Sequence, residues 1–495
     1  MRFATSRHAP RCAAAILLAA ACSRLAGCAV GPNFQPPAPP AGEQYHPPPA
    51  APIEAAAQDR QQLAAGEIRG LWWQLFRSAA LDQAVREALA NSPTLVAANA
   101  TLAQAREAVI VAQAGLLPHA SAAAGAQRSS ARGALLPAGQ SSTSNLYTVG
   151  ASASYSVDLF GGVRRAVEES RALADVQRYQ LAAAYLTLTG NVIQEALTIA
   201  STRLQIDTTQ QLIESDRKNL ALTQREFEVG TATRADVLTA DAQLAGDLTT
   251  LPALREQLAE AYDALDVLIG RPPAQGQPHA FDIQELSLPR EVPLSLPSQL
   301  VRQRPDVLAA EAQLHASSAA IGVATAQLFP ALTLTAGLSR EALQAGGLFH
   351  QFDSLWNVGG SLAQPIFEGG ALRAQVRAAR DAFQAQAATY RNTVLEALGQ
   401  VADDLWALQY DAERLTVDRH SVDIAAESLK LQQQSYQVGT TNVLNLINAE
   451  RAYAQARLSY ATAQVQQFQD TAGLLVALGG AWWQDPAAGP PGAAH

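Results

Sequence analysis

The stretch FEVGT at residues 227–231 recurs as YQVGT at residues 436–440, which lie 209 positions further along the chain. Three further landmarks recur in the same order, namely Pro93 as Pro305, Leu117-Pro118 as Phe329-Pro330, and Phe160 as Phe367, each near a glycine pair or helix end. Four matches in one order indicate an internal duplication. Because two copies are too few for a solenoid, we expect them to form equivalent segments of a ring completed by other chains.

Long helices flank the two Gly-Thr stretches. Residues 163–227 contain no proline, and apolar residues recur there every seven positions, as they do in the second copy and in the return segment 232–269. The three sets are Ile199, Ile206, Ile213, Leu220 and Phe227; Leu408, Leu415, Val422, Leu429 and Tyr436; and Val237, Leu244, Leu251, Leu258 and Leu265. A seven-residue repeat predicts left-handed coiled-coil packing, although an ordinary core stripe would use similar residues. Pro252 predicts a kink in the return helix.

Between the helices of each copy the sequence period changes to two. Tyr147, Val149, Ala151, Ala153 and Tyr155 alternate with small polar residues, and Leu332 to Leu338 alternate with Thr333, Thr335 and Gly337. We therefore predict strands within about 119–160 and about 331–367. Half-buried strands of a soluble sheet remain an alternative, but the strand length and the aromatic ends favour membrane strands. Four strands cannot close a barrel, so other chains must supply the rest.

The N-terminus has the features of an exported lipoprotein. Three arginines precede an apolar run of signal-peptide length, and Leu25-Ala26-Gly27-Cys28 resembles a lipobox, which makes Cys28 the predicted lipidation site. Cys22 lies in a poorer competing box, and a lone free cysteine is the alternative for Cys28. A proline-rich segment suited to an extended tether follows. With Cys28 lipidated, the mature chain would have no free thiol and no disulfide framework.

Charge and motif content exclude several classes of function. Removing residues 1–27 takes away four arginines and no acid, so the net charge changes from −9 to −13, which argues against a nucleic-acid partner. We find no apolar stretch of about 20 residues in the mature chain and expect no membrane-spanning helix. The eight histidines are scattered, and no phosphate loop or nucleophile motif occurs, so we predict no enzyme, no metal site and no cofactor.

These features divide the chain into six parts. We predict a signal peptide at 1–27, a lipidated tether at 28–70, a first repeat at 71–270, a Pro-rich linker at 271–300, a second repeat at 301–480 and a tail at 481–495. The predicted fold class is mainly α with membrane β, in an internally duplicated protomer. A periplasmic coiled-coil scaffold lipoprotein would share the helix content, but the alternating strands in both copies argue against it.

Several motifs resemble the outer-membrane factors of tripartite efflux pumps, the TolC-like family, and especially its lipoprotein branch. The matching stretches are LWWQLF at 71–76, LPSQL at 296–300 with Arg304-Pro305-Asp306, QLFP at 327–330 and LGGAWW at 478–483. The resemblance implies a homotrimer whose twelve-stranded β-barrel, set in outer-membrane lipid, continues into an α-helical barrel in the periplasm. It also implies a passive exit duct for small molecules, with a periplasmic adaptor protein and an inner-membrane pump as partners. A type I secretion channel is an alternative, and the sequence does not name the exported compound.

The resemblance also assigns roles to the turns between the long helices. Val229, Gly230 and Thr231, with Val438, Gly439 and Thr440, would form the adaptor-docking tip, although glycine is also the usual residue after a helix end. Relatives narrow this aperture with acidic residues and an arginine, where this chain has Asn445, Asn448 and Thr441. Asp236 of the first copy is left as a hydrogen-bonding partner. The resemblance thus predicts an aperture without an acidic ring.

Overall fold

A computed structural model describes residues 29–38, 44–45, 61–66, 68, 71–131, 142–276, 279–350 and 354–482. The predicted signal peptide, Cys22, the lipidation site Cys28 and most of the predicted tail lie outside the described residues. The helices are α1 (Ala79–Asn91), α2 (Pro93–Ala114), α3 (Gly162–Glu228), α4 (Arg234–Ile269), α5 (Pro297–Gln303), α6 (Pro305–Ala326), α7 (Gly347–His350), α8 (Ala371–Gln437) and α9 (Val443–Ala477). The strands are β1 (Gln62–Ala65), β2 (His119–Ala131), β3 (Ser142–Val157), β4 (Glu291–Leu294), β5 (Ala331–Ala342) and β6 (Ser354–Ala363).

The internal duplication predicted from sequence is confirmed by matching element lengths. Helices α2 and α6 have 22 residues each, and α3 and α8 have 67 residues each. The return helices α4 and α9 have 36 and 35 residues. Helix α4 continues through Pro252, so the proline does not end it, and the predicted kink remains a prediction.

The four long strands form one antiparallel sheet in the order β2-β3-β5-β6. Its register places most of the apolar residues of the four strands on one face: Ala120, Ala122, Ala124 and Ala126; Tyr147, Val149, Ala151, Ala153 and Tyr155; Leu332, Leu334, Ala336 and Leu338; and Trp356, Val358 and Leu362. The opposite face carries mainly serine, threonine, glycine and asparagine. Strand β6 ends at Ala363, earlier than the predicted 367, because Pro365 has no N–H to donate to a ladder.

A second, two-stranded sheet was not predicted from the sequence. Strand β1 pairs in parallel with β4, although β1 lies in the stretch that we assigned to the tether and β4 in the stretch that we assigned to the linker. Each strand has only four residues, and Pro293 interrupts the apolar pattern of β4. Such short segments give no periodicity that could be recognised in the sequence.

The described chain divides into two compact units. The first combines residues of Thr101–Gln177 and Ala309–Tyr390 with the N-terminal arm, which we define as residues 29–37. The second contains the remaining parts of the long helices, and its core includes Trp72, Trp73 and Phe76 of a 3₁₀ turn, all at most 2% exposed. The motif at 71–76 is therefore a core-forming element.

Helix α2 corrects one expectation. Within the described part of the chain, this helix is long and apolar enough to cross a membrane, by length and composition alone. Its alanine and valine content raises its hydropathy, even though Arg106 and Glu107 lie in adjacent positions within it. The expectation that no such stretch remains after the signal peptide was therefore wrong.

Candidate functional site

The first Gly-Thr turn ends helix α3 with a defined set of backbone hydrogen bonds. Gly230 has φ 80°, in the left-handed region, and its N–H donates to the carbonyl of Phe227 at 3.0 Å. The N–H and the hydroxyl of Thr231 both donate to the carbonyl of Glu226, at 2.8 and 3.0 Å. This is a Schellman motif, in which glycine adopts the left-handed conformation without a Cβ penalty and the last carbonyls are satisfied.

The second turn repeats this geometry at the end of α8. Gly439 has φ 76°, and its N–H donates to the carbonyl of Tyr436 at 3.0 Å. The N–H and the hydroxyl of Thr440 donate to the carbonyl of Ser435 at 2.9 and 3.0 Å. Thr231 and Thr440, which are equivalent in the two copies, therefore have a structural role, because each donates two hydrogen bonds to one carbonyl at the helix end.

The valine before each glycine projects into open space. Val229 is 76% exposed and Val438 is 73% exposed, and an added Cβ on Gly230 or Gly439 would meet no atom within 4 Å. Each turn therefore presents one exposed branched side chain to solvent.

Asp236 has a local role that the sequence analysis missed. Its carboxylate accepts hydrogen bonds from the N–H and the hydroxyl of Thr233, both at 2.7 Å, and its own N–H donates to that hydroxyl at 3.2 Å. These bonds, first those from the Thr233 side chain, lower the pKa of Asp236. The pair is a capping box at the start of α4, and the pattern Thr-x-x-Asp could have revealed it.

Asn445 occupies the equivalent position at the start of α9. Its N–H donates to the side chain of Asn442 at 3.0 Å, and its amide nitrogen donates to the hydroxyl of Thr441 at 2.9 Å. Asn445 and Asn448 are both exposed. The structure thus places all four predicted aperture residues in the segments directly after the two turns, Asp236 in the first copy and the other three in the second.

A contact between the copies lies close to the turns. Val443 and Ile447 of α9 pack on Ala240 of α4. Tyr436 packs against this cluster, and its hydroxyl donates to a carboxylate oxygen of Glu226 at 2.6 Å. Burial, followed by this bond and the charge of Glu226, raises the pKa of Tyr436 to about 12. Sequence analysis placed Tyr436 in the heptad but gave no sign of its partner.

Further from the turns, α3, α4 and α9 enclose a buried carboxylate pair. Asp216 is 2% exposed, and burial, followed by the neighbouring Asp247, raises its pKa to about 7. Asp247 also accepts from Arg451 at 2.9 Å. Glu450 accepts from Ser215 and from Asn219, the latter at 2.8 Å.

A second carboxylate pair joins α8 to α9. Asp411 is 8% exposed, and burial, followed by a hydrogen bond to Asp470, raises its pKa to about 7. Nearby, burial and then the charge of Asp470 raise the pKa of Asp404 to about 6. In both pairs, burial and the neighbouring carboxylate favour the protonated form of the buried aspartate, Asp216 or Asp411. Among the residues that the structure describes, no group of three or more His, Cys, Asp or Glu has the geometry of a metal site.

Comparison with known proteins adds a family. The sequence profile described as outer membrane efflux protein matches residues 84–271 and 296–480, which correspond to the two copies. The pyoverdine export outer membrane protein OpmQ of Pseudomonas aeruginosa is 32% identical over 441 residues, which cover 87% of this chain and 92% of OpmQ. The toluene efflux pump outer membrane protein TtgF of Pseudomonas putida is 30% identical, with 92% and 95% covered. The solved outer-membrane channel OprN is 27% identical and has a TM-score of 0.82, with 92% of this chain and all of that chain covered.

Proposed function

Since this chain belongs to the outer membrane efflux protein family, we propose that it is the outer-membrane exit duct of a tripartite efflux pump. It would conduct small molecules passively from the periplasm to the exterior, together with a periplasmic adaptor and an inner-membrane pump. The relatives named for pyoverdine export and toluene efflux favour small organic molecules as the exported class.

The four-stranded sheet is the observation that carries this proposal. One face is mainly apolar across the four strands, apart from Arg128 and Arg340 near the hairpin ends. On this face Val358 and Trp356 are exposed by 76% and 75% in the single chain. Such a face suits lipid, and the small polar face suits a water-filled lumen. Strands β2 and β6 are the outer strands of the sheet, and open edges are costly in lipid. Three chains of four strands would close a twelve-stranded barrel.

Helix α8 supports the same assembly. Its buried heptad includes Leu408 and Leu415, whereas a second heptad displaced by two positions is exposed. The second heptad consists of Tyr410, Val417, Ile424 and Leu431, each at least 56% exposed. Two positions correspond to about 200° around a helix, so this stripe faces away from the core of its own chain. In a homotrimer, a helix of a neighbouring chain would cover this exposed stripe of α8.

At the C-terminal ends of α3 and α8, we assign Val229 and Val438, with the glycines and threonines beside them, to adaptor docking. Their exposure at two equivalent turns supports this role. Asp236, Thr441, Asn445 and Asn448 would surround the periplasmic aperture. The last two offer neutral amides, so the aperture would be narrowed without a ring of fixed negative charge.

Lipidation of Cys28 stays a proposal, and the position of the N-terminal arm supports it. The N–H of Val30 donates to the carbonyl of Phe160 at 3.0 Å, directly after β3 ends. Buried Arg165 donates to the side chain of Asn33 at 2.8 Å. The arm therefore begins at Ala29 against the strand-to-helix junction that follows β3, where a membrane strand would leave the lipid. A lipid there would enter the periplasmic leaflet of the outer membrane.

The proposal is tested by purifying the full-length chain in detergent, measuring its mass by native mass spectrometry and recording it in planar bilayers. A trimer that conducts ions would support the exit duct. A stable monomer, or a trimer without conductance even when adaptor and pump are present, would contradict it and favour a scaffold lipoprotein.

A further inference from the structure

An aromatic contact closes the junction between β3 and β5. Phe160, directly after β3, stacks on Phe329, directly before β5, with ring centroids 4.6 Å apart and an interplanar angle of 20°. Both side chains are partly shielded as a result. The N-terminal arm covers the same junction through the bond from Val30 to Phe160.

The equivalent junction of the second copy is bare. Phe367 corresponds to Phe160, and Ile366 and Phe367 are 90% and 86% exposed. The residue that corresponds to Phe329 is Leu117, which precedes β2 and is 66% exposed. Since β2 and β6 are separated by two strands in the sheet, Leu117 and Phe367 of one chain lie at opposite edges.

We propose that Phe367 of one chain packs on Leu117 of a neighbouring chain. Strand β6 of the first chain would pair with β2 of the neighbour, in the same register that β3 and β5 have within one chain. This inference rests on the trimeric duct proposed above and specifies which atoms meet at its subunit boundary. The N-terminal arm of the same chain already covers the Phe160–Phe329 junction. Because the duplication makes Leu117 the equivalent of Phe329, a second chain is expected to cover Phe367.

The register follows from carrying the β3–β5 pairing over to the second boundary. Ser154 pairs with Thr335, and Ala151 pairs with Leu338. Shifting Ser154 and Ala151 of β3 by the number of positions between Phe160 and Phe367 gives their equivalents in β6, Ser361 and Val358. Shifting Thr335 and Leu338 of β5 by the number of positions between Phe329 and Leu117 gives their equivalents in β2, Ala123 and Ala126. Ser361 is therefore expected opposite Ala123, and Val358 opposite Ala126.

Two features of the sheet agree with this register although neither was used to derive it. Val358 and Ala126 both lie on the apolar face, whereas a slip by one residue would place Val358 opposite the polar face. In addition, all of β6 (Ser354–Ala363) falls opposite residues 121–130, which lie within β2 (His119–Ala131). Every residue of the shorter edge strand would thus have a partner.

Cysteine cross-linking tests the register in the intact protein. The chain contains cysteines only at positions 12, 22 and 28. The first two lie in the predicted signal peptide, and the thiol of Cys28 would carry the lipid, so the processed protein already offers a background without a free thiol. The test variant carries Ser361→Cys and Ala123→Cys. The matched control carries Ser361→Cys and Gly125→Cys, which lies on the same face two residues away. After mild oxidation in membranes, covalent multimers are measured on a denaturing gel, and the mass of each variant is measured in detergent.

We expect the test variant to cross-link at least about tenfold faster than the control, because opposite residues match disulfide geometry and diagonal ones do not. A trimer that cross-links faster in the control would overturn the register. A trimer that cross-links in neither variant would overturn the β6–β2 boundary while leaving the trimer standing. Absence of a trimer before any oxidation would instead contradict the proposed duct.

A double-mutant cycle tests the contact at the junction separately. Phe367→Ala and Leu117→Ala should each lower the temperature at which the trimer dissociates, and the double variant should be little worse than either single one. Leu343→Ala, which removes a leucine that is 68% exposed beyond the other end of β5, serves as control and should leave that temperature unchanged. Additive effects of the two junction variants would refute the contact.

Discussion

The hydroxyl of Tyr436 donates a 2.6 Å hydrogen bond to the carboxylate of Glu226, joining the ends of two long helices that lie 210 residues apart in sequence. Each residue lies just before a Gly-Thr turn of its own copy. The two turns are therefore tied to one another by a charge-assisted bond, which is the stronger kind of hydrogen bond.

Removing this hydroxyl should loosen the turns. Because both side chains are only partly buried, we expect Tyr436→Phe to lower the free energy of unfolding by about 1 kcal/mol. Hydrogen exchange of the amides at residues 226–231 should become faster. Tyr410→Phe, in the same helix and 57% exposed, is the matched control. Equal exchange rates in both variants would show that the bond does not hold the turns.

The buried pair of Asp411 and Asp470 should make stability depend on pH. The pKa of Asp411 is raised from 3.8 to about 7, so the folded state keeps a proton that the unfolded state has released. The associated stability is fully present below the unfolded pKa and is lost as pH rises through about 7. We therefore expect the melting temperature to be lower at pH 8 than at pH 5, since these two pH values lie on either side of the pKa of Asp411.

Asp411→Asn should flatten part of that decline and raise stability at the upper pH by about 1 to 3 kcal/mol, since one pKa unit corresponds to about 1.4 kcal/mol. Asp216 and Asp404, whose pKa values are also raised, would contribute to the remaining pH dependence. Asp423→Asn changes an exposed carboxylate of the same helix and is the control. A melting temperature of Asp411→Asn that follows the wild-type pH profile would argue against a buried proton at this position.

The turn glycines should resist substitution. Gly230→Ala and Gly439→Ala place a Cβ on left-handed backbone, which we expect to cost about 1 to 2 kcal/mol each although the surrounding space is open. Gly246→Ala, within helix α4 and also without a neighbour within 4 Å, should instead stabilise by about 0.5 to 1 kcal/mol. Urea unfolding of the three variants measures the difference, and a loss of similar size at Gly246 would refute the backbone explanation.

The aperture assignment predicts an effect on ion selectivity. Asn445→Asp together with Asn448→Asp should make the channel more cation-selective, because carboxylates in a narrow pore concentrate cations. Asn445→Asp should also strengthen the start of α9, since it reproduces the Thr233–Asp236 cap of the first copy. Reversal potentials of single channels under a salt gradient measure the selectivity. Asn392→Asp, on an exposed site well before the turn in α8, is the control. An unchanged reversal potential would mean that these residues do not line the constriction.

Anchoring is tested by metabolic labelling. Cys28→Ser should abolish incorporation of radiolabelled palmitate, whereas Cys22→Ser should leave it intact, because only the box at Leu25-Ala26-Gly27-Cys28 fits the lipidation signal. Labelling that persists in Cys28→Ser and disappears in Cys22→Ser would transfer the assignment to the competing box.

The sequence by itself determined the duplication, the long helices, the four long strands and the glycine turns of this protein. These features depend on periods of seven and two and on single residues such as Gly230 and Pro118, whose conformational limits act within a few positions. The capping box of Thr233 and Asp236 belongs to the same local class, although it was missed. Only the tertiary structure decided that Asp411 meets Asp470, that Tyr436 meets Glu226 and that β1 pairs with β4. Each of these contacts joins residues far apart in sequence, and the burial that shifts the pKa of Asp411 exists only once the helices have packed.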